Sequence, residues 1–95
     1  MKYYFVYILT NKSNKVLYTG VTNNIQRRYW EHKKGLHDGF TRQYKVNKLV
    51  YIEKYEDVRE AIEREKYIKG KMRKYKVGLI EKTNPDWADF GCKLK

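Results

Sequence analysis

One cysteine, Cys92, and one proline, Pro85, occur in 95 residues. A lone cysteine excludes an internal disulfide framework and a cysteine-rich zinc site. Acid is also in short supply. The chain carries 11 Asp+Glu against 22 Lys+Arg, a net charge of +11 and a pI near 9.7. Such an excess is self-repulsive and is no folding device, so it points to an anionic partner. Nucleic acid is the leading candidate, with an anionic membrane surface as the rival. No apolar run approaches the length of a membrane span and no signal-peptide pattern opens the chain. A cytoplasmic protein that makes no use of membranes is therefore expected. Repeats, low-complexity stretches and linkers are missing too, and the length suits one domain over residues 1–95, with a core of about 3–87 and a short tail, 88–95.

What is present begins with two short β-type runs, residues 3–9 and 16–21, separated by the polar cluster Asn11-Lys12-Ser13-Asn14. Together they read as a hairpin. With those four residues as the loop, Thr10 faces Lys15 and Tyr7 lies opposite Tyr18, so two phenols converge on one sheet face. A cross-strand aromatic pair that merely helps the hairpin form would look the same. Thr22-Asn23-Asn24 supplies capping residue types for a helix running to about Lys34, where Gly35 ends it. Residues 35–47 contain two glycines and no period, and read as a basic loop. Residues 48–55 form a third strand. Asp57 caps a second helix, with Glu60 at the capping-box position, and this helix reaches about Gly70. A basic third helix spans roughly Arg73 to Glu81 before Asn84, Pro85 and Asp86 end regular structure. The expected fold is α+β: a small, three-stranded, mainly antiparallel sheet flanked by about three helices in the order β-β-α-β-α-α. The first strand is apolar on both faces, which suits packing on each side.

On the second helix, Val58, Ala61, Ile62, Ile68 and Met72 trace a core-facing stripe, and Glu65 falls near its centre. A lone carboxylate on an apolar face costs several kcal/mol unless paired, protonated or bound to a cation. It is either a buried acid satisfied by a tyrosine or arginine, or part of a site. On the first helix, Ile25 and Tyr29 set an inner face that Arg28 and His32 share, whereas Arg27 points to solvent. A structural histidine or a plain Arg28–Glu65 ion pair would account for each residue taken singly. Tyr7, Tyr18, Arg28, His32 and Glu65 aimed at one sheet face make a candidate site.

Lys66, Lys69, Lys71, Arg73, Lys74 and Lys76 form a dense basic run, ordinarily a solvated helix face. Here it extends the bias of Lys33, Lys34, Arg42, Lys45 and Lys48, with tyrosines interleaved, and so reads as a phosphate-contacting surface. Trp87 and Phe90 read as anchors of the C-terminus.

These residues resemble the GIY-YIG nuclease family, over about residues 3–87. The naming tripeptides correspond to Phe5-Val6-Tyr7 and Tyr18-Thr19-Gly20, where only the two tyrosines and Gly20 keep the family's letters. The hairpin spacing, Ile25…Arg28…His32, Ala61…Glu65 and Asn84 complete the pattern. The likeness is closest to the small, stand-alone bacterial single-domain branch.

The resemblance implies an enzyme: a metal-dependent DNA endonuclease, nonspecific as to structure or sequence, with a role in repair or recombination. It implies that Glu65 binds one divalent ion, Mg²⁺ or Mn²⁺, a cation that keeps several waters and needs few carboxylates. Tyr7 or Tyr18 would position and deprotonate the attacking water, Arg28 would neutralise phosphate charge, His32 would assist and Asn84 would support the site. No small-molecule cofactor is implied. A phenol is a poor base at neutral pH unless nearby cations lower its pKa. Phe5 stands in place of a glycine and Thr19 in place of an isoleucine, and the chain has none of the extra domains that give larger relatives their target choice. A non-catalytic nucleic-acid-binding module, or a subunit lending the fold to a protein partner, are the alternatives.

Overall fold

A computed structural model describes residues 2–36 and 39–93. The described elements are β1 (Tyr4–Thr10), β2 (Leu17–Thr22), α1 (Ile25–Lys33), α2 (Gly39–Gln43), β3 (Lys48–Tyr55), α3 (Val58–Lys69), α4 (Arg73–Thr83) and a 3₁₀ turn over Phe90–Lys93. The expected strand and helix order holds. The addition is α2, a five-residue helix inside the stretch read as a loop. It buries only Thr41, so its sequence carries no apolar period to betray it. His37 and Asp38, also within that stretch, lie outside the described residues.

The antiparallel sheet has the order β2-β1-β3. The central strand is covered on both sides, with Val6, Tyr7, Ile8 and Leu9 all at most 1% exposed. One face carries Val6, Ile8, Val50 and Tyr51 under Ala61 and Ile68 of α3 and Ile80 of α4. The other carries Tyr7, Leu9 and Leu49 under Ile25 and Tyr29 of α1, with Val46. The helices therefore sit on opposite faces, which corrects the expectation that α1 and α3 aim their polar residues at one.

The hairpin register also differs. Tyr7 pairs with Gly20, and Tyr18 with Leu9, because Thr10 faces Leu17 rather than Lys15. The loop is longer than four residues because Asn11 folds back into it: its Oδ1 accepts from the Lys15 and Val16 amides at 2.9 and 3.2 Å. Asn14 takes a left-handed φ of 61° to close the turn. The slip is two residues, so side-chain parity is kept.

Helix ends follow their capping chemistry. Asn24 Oδ1 accepts from Arg27 N at 3.0 Å, and Gly35, at φ 71°, lets the chain turn out of α1. Asp57 Oδ1 accepts from Arg59 N at 2.9 Å to start α3. The α3 stripe is narrower than its apolar residues suggest. Ala61, Glu65 and Ile68 are buried, whereas Val58 and Ile62 are about 40% exposed and Met72, beyond the helix, is 81% exposed.

Candidate active site

Because parity survives the register slip, the Tyr7 and Tyr18 rings stay on the same face as diagonal neighbours, 6.4 Å between centroids. His32 of α1 closes a triangle, 6.2 Å from Tyr7 and 5.6 Å from Tyr18. Tyr7 is buried and Tyr18 only half-buried, so Tyr18 is the phenol that water can reach. Gly20 is what admits Tyr7 to this position. A Cβ on residue 20 would lie 2.5 Å from the Tyr7 hydroxyl, closer than such atoms approach. Gly20 thus makes room for a side chain, and its backbone needs no left-handed conformation. Thr19, whose side chain points to the other face opposite Ile8, is buried.

Arg28 sits on the same helix as His32 and is partly buried. Its Nε lies 3.1 Å from Glu31 rather than against Glu65. The distance between helices on opposite faces explains why the simple Arg28–Glu65 pair does not form.

Glu65 is 8% exposed, held in the stripe between Ala61 and Ile68. Its oxygen lies 2.6 Å from Lys69 Nζ, one helical turn on. The bond to Glu65 raises Lys69 above the ordinary ammonium range, against burial that lowers it, and the Tyr18 phenol adds to the rise. Lys69 is therefore within electrostatic reach of both the acid and the phenol. The two sides of the site, α3 with Glu65 and the Tyr7–Tyr18–His32 triangle, approach each other at β2, one of the two edge strands, which α3 contacts.

Asn84 does not join them. Its Nδ2 donates to Val50 O at 3.1 Å and Ala88 O at 2.9 Å, while its Oδ1 accepts from Ala88 N. Val50 has no partner in β1, since Ile8 faces Tyr51 and Leu9 faces Leu49. Asn84 thus satisfies the carbonyl of a β-bulge on the strand furthest from Tyr18.

Two further polar networks tie the elements together. Glu53 of β3 is gripped by Arg64 Nε and Nη2 at 3.0 Å each, with Tyr51 and Tyr55 hydroxyls also donating. Burial alone would raise the Glu53 carboxyl, but Arg64 and the two phenols outweigh it and hold it below its ordinary range. Burial first, and then its bond to Glu53, push Tyr55 up to about 12, against a lowering by Arg64. The alternation Tyr51-x-Glu53-x-Tyr55 was the available signal, since it puts all three on one strand face. Asp89 is the second hub, accepting from Tyr29 OH, Lys33 Nζ, Leu49 N and Gly91 N. Burial opposes ionisation there as well, and these donors keep the Asp89 carboxyl below the ordinary range. Trp87 packs on the α3 face and Phe90 on the α1 face, so both anchor the C-terminal segment as expected.

The basic residues divide accordingly. Lys33 is tied to Asp89 at 3.1 Å, and Arg73 donates to Asn14 O and Lys15 O of the hairpin loop. Lys34, Arg42 and Lys45 are exposed at the α1–α2 end, while Lys69 guards Glu65.

Among the described residues no three His, Cys, Asp or Glu side chains cluster closely enough to hold a metal. A site for a hydrated divalent ion needs less: one buried carboxylate with room for waters. Glu65 fits that requirement, provided the Lys69 side chain, 53% exposed, swings aside. No helix among the described residues is long and apolar enough to cross a membrane.

Comparison with known proteins bears on this geometry. The GIY-YIG catalytic domain model matches residues 3–77. A UPF0213 protein of Clostridium perfringens is 46% identical over 76 residues, spanning 80% of this chain and 81% of the relative. A UPF0213 protein of Natronomonas pharaonis is 35% identical over 77 residues, 81% of this chain and 89% of its own length. The solution NMR structure of a UPF0213 protein from Bacillus halodurans matches with a TM-score of 0.59 at 28% identity, covering 98% of this chain and 97% of that one.

Proposed function

This chain belongs to the GIY-YIG nuclease family, and from that premise we propose that it is a divalent-metal-dependent endonuclease that hydrolyses DNA phosphodiesters. The observation that carries the reading is a buried carboxylate, Glu65, whose one partner among the described residues is the movable ammonium of Lys69. A structural acid at that depth would be enclosed by fixed donors.

In this reading Glu65 holds a single Mg²⁺ or Mn²⁺ ion, whose chemistry when bound is Lewis-acid polarisation of phosphate oxygens. Tyr18, the phenol open to water, orients the attacking water, and Tyr7 with His32 fixes the Tyr18 ring. A phenol acts as base only beside positive charge, and Lys69 brings an ammonium within reach of Tyr18. Arg28 offsets phosphate charge from α1. Asn84 contributes through the fold, by holding β3.

The test incubates the purified chain with labelled duplex, branched and single-stranded DNA in Mg²⁺ or Mn²⁺. Metal-dependent nicking, abolished by EDTA and by Glu65→Gln while circular dichroism stays unchanged, is expected. Equal products from wild type and Glu65→Gln would overturn it. A second reading, a non-catalytic binder that keeps the fold, draws support from the same Lys69–Glu65 pair, in which a cation already neutralises the acid. It predicts binding that falls steeply with salt and is indifferent to Glu65→Gln.

A further inference from the structure

The segment after α1 exposes apolar surface that the core does not use. Phe40 of α2 and Tyr44, the first residue after it, are 48% and 46% exposed, four positions apart, with ring centroids 5.0 Å from each other. A helix of five residues is too short to stand alone, and this one is held at its buried Thr41, whose carbonyl receives Val46 N at 2.9 Å. The two aromatics are not what anchors it. Lys45 leaves the helix at a left-handed φ of 54°, which turns the chain sharply into β3. Arg42 and Lys45 are both exposed, and Lys34 stands at the exposed end of α1. The stem of Arg42 runs beside Gly35, three residues after His32, so α2 lies against the C-terminal end of the helix that carries the triangle.

Exposed aromatic rings set among cations fit an occupant that is flat, apolar on its faces and anionic along its edge. Unpaired nucleotides have that chemistry, whereas paired bases hide their faces in the duplex. The Tyr67–Tyr75 pair, by contrast, is already engaged by cations: both rings lie under Lys71, at 4.5 and 5.7 Å, and Tyr67 also lies under Arg64. We propose that Phe40 of α2 and Tyr44 of the turn after it, with Arg42, Lys45 and Lys34, form a stacking platform for unpaired DNA bases, so that the substrate of the adjoining site is DNA with a single-stranded segment. The substrate assignment rests on the nuclease reading, but the platform itself is measurable without cleavage.

The experiment is fluorescence anisotropy in EDTA with a labelled single-stranded oligonucleotide and a blunt duplex of equal charge. The variants are Phe40→Leu/Tyr44→Leu, which keeps apolar bulk and helix propensity, and Phe40→Trp/Tyr44→Trp, which keeps the rings. Loss of ring stacking should weaken single-strand binding about tenfold or more, given the usual worth of one stacked base. Duplex binding should change less than twofold, and the tryptophan pair should restore the single-strand affinity. An equal loss on both DNAs, no loss on either, or self-association in the wild type abolished by the leucine pair would each overturn the platform. A chain that never cuts DNA but shows the selective loss would fail as a nuclease while keeping the platform. One that cuts DNA without the selective loss would do the reverse.

Discussion

Two glutamates, Glu53 and Glu65, serve the α3 side of the sheet under opposite regimes. Glu53 on β3 is saturated by a forked guanidinium and two phenols. Glu65 on α3 is more deeply buried as a residue yet faces one flexible ammonium. Fixed, geometrically matched donors make a carboxylate part of the scaffold. A donor on a long, half-exposed stem leaves the acid able to exchange partners. The contrast separates the residue that holds α3 in place from the residue that α3 presents.

The sharpest way to break this contrast is to neutralise each acid. Glu65→Gln should lower DNA cleavage by about a thousandfold, on the order of 4 kcal/mol of barrier, while its urea-unfolding midpoint stays within error of wild type. Glu53→Gln should do the reverse, costing about 3 kcal/mol by leaving the Arg64 charge half-buried without its counter-ion. Finding the larger stability loss at Glu65 would erase the distinction.

The pH response sharpens it further. Glu53 and Asp89 both have folded-state pKa values below ordinary. Their stabilisation is therefore complete above the unfolded carboxyl range, and it disappears as pH falls below about 4 through the lower, folded-state values. Acid titration of stability should show a steep loss in that window, shallower in Glu53→Gln. A flat profile down to pH 3 would contradict the donor sets described.

Smaller effects probe the phenol side. Gly20→Ala should cost about 2 kcal/mol, a typical overpacking penalty, because the new methyl meets the Tyr7 hydroxyl. Its measurable sign is a lower thermal midpoint together with altered Tyr7 ring shifts by NMR. Lys69→Met should free Glu65 and lower the half-saturating Mg²⁺ concentration about fivefold, the worth of a partly exposed ion pair, read from amide shifts along α3. Unchanged metal titration would show that Lys69 does not compete for the acid.

Much of this was legible in advance where the physics is local. Asn24, Asp57 and Gly35 mark helix ends because capping bonds are made within a few residues. The first strand, apolar on both faces, marks an element packed on each side, and a carboxylate amid apolar helical positions marks Glu65. The hairpin register was not legible, since it turned on Asn11 spending its side chain on two amides across the loop. Nor was Asn84's role, because the bulge it satisfies arises only when β3 is laid against β1. The role of Asp89 is hidden for the same reason. Its four donors come from α1, β3 and its own turn, up to 60 residues away.

Sequence alone determined which side chains share a face along one element, and that the surface is strongly cationic. Those properties follow from side-chain period and charge, which need no neighbour. Tertiary structure decided that α1 and α3 lie on opposite faces of the sheet and approach each other at its β2 edge. It also decided that Glu53, not Glu65, takes the guanidinium. Partner choice depends on which elements are brought within hydrogen-bond range, and only the packed chain sets those distances.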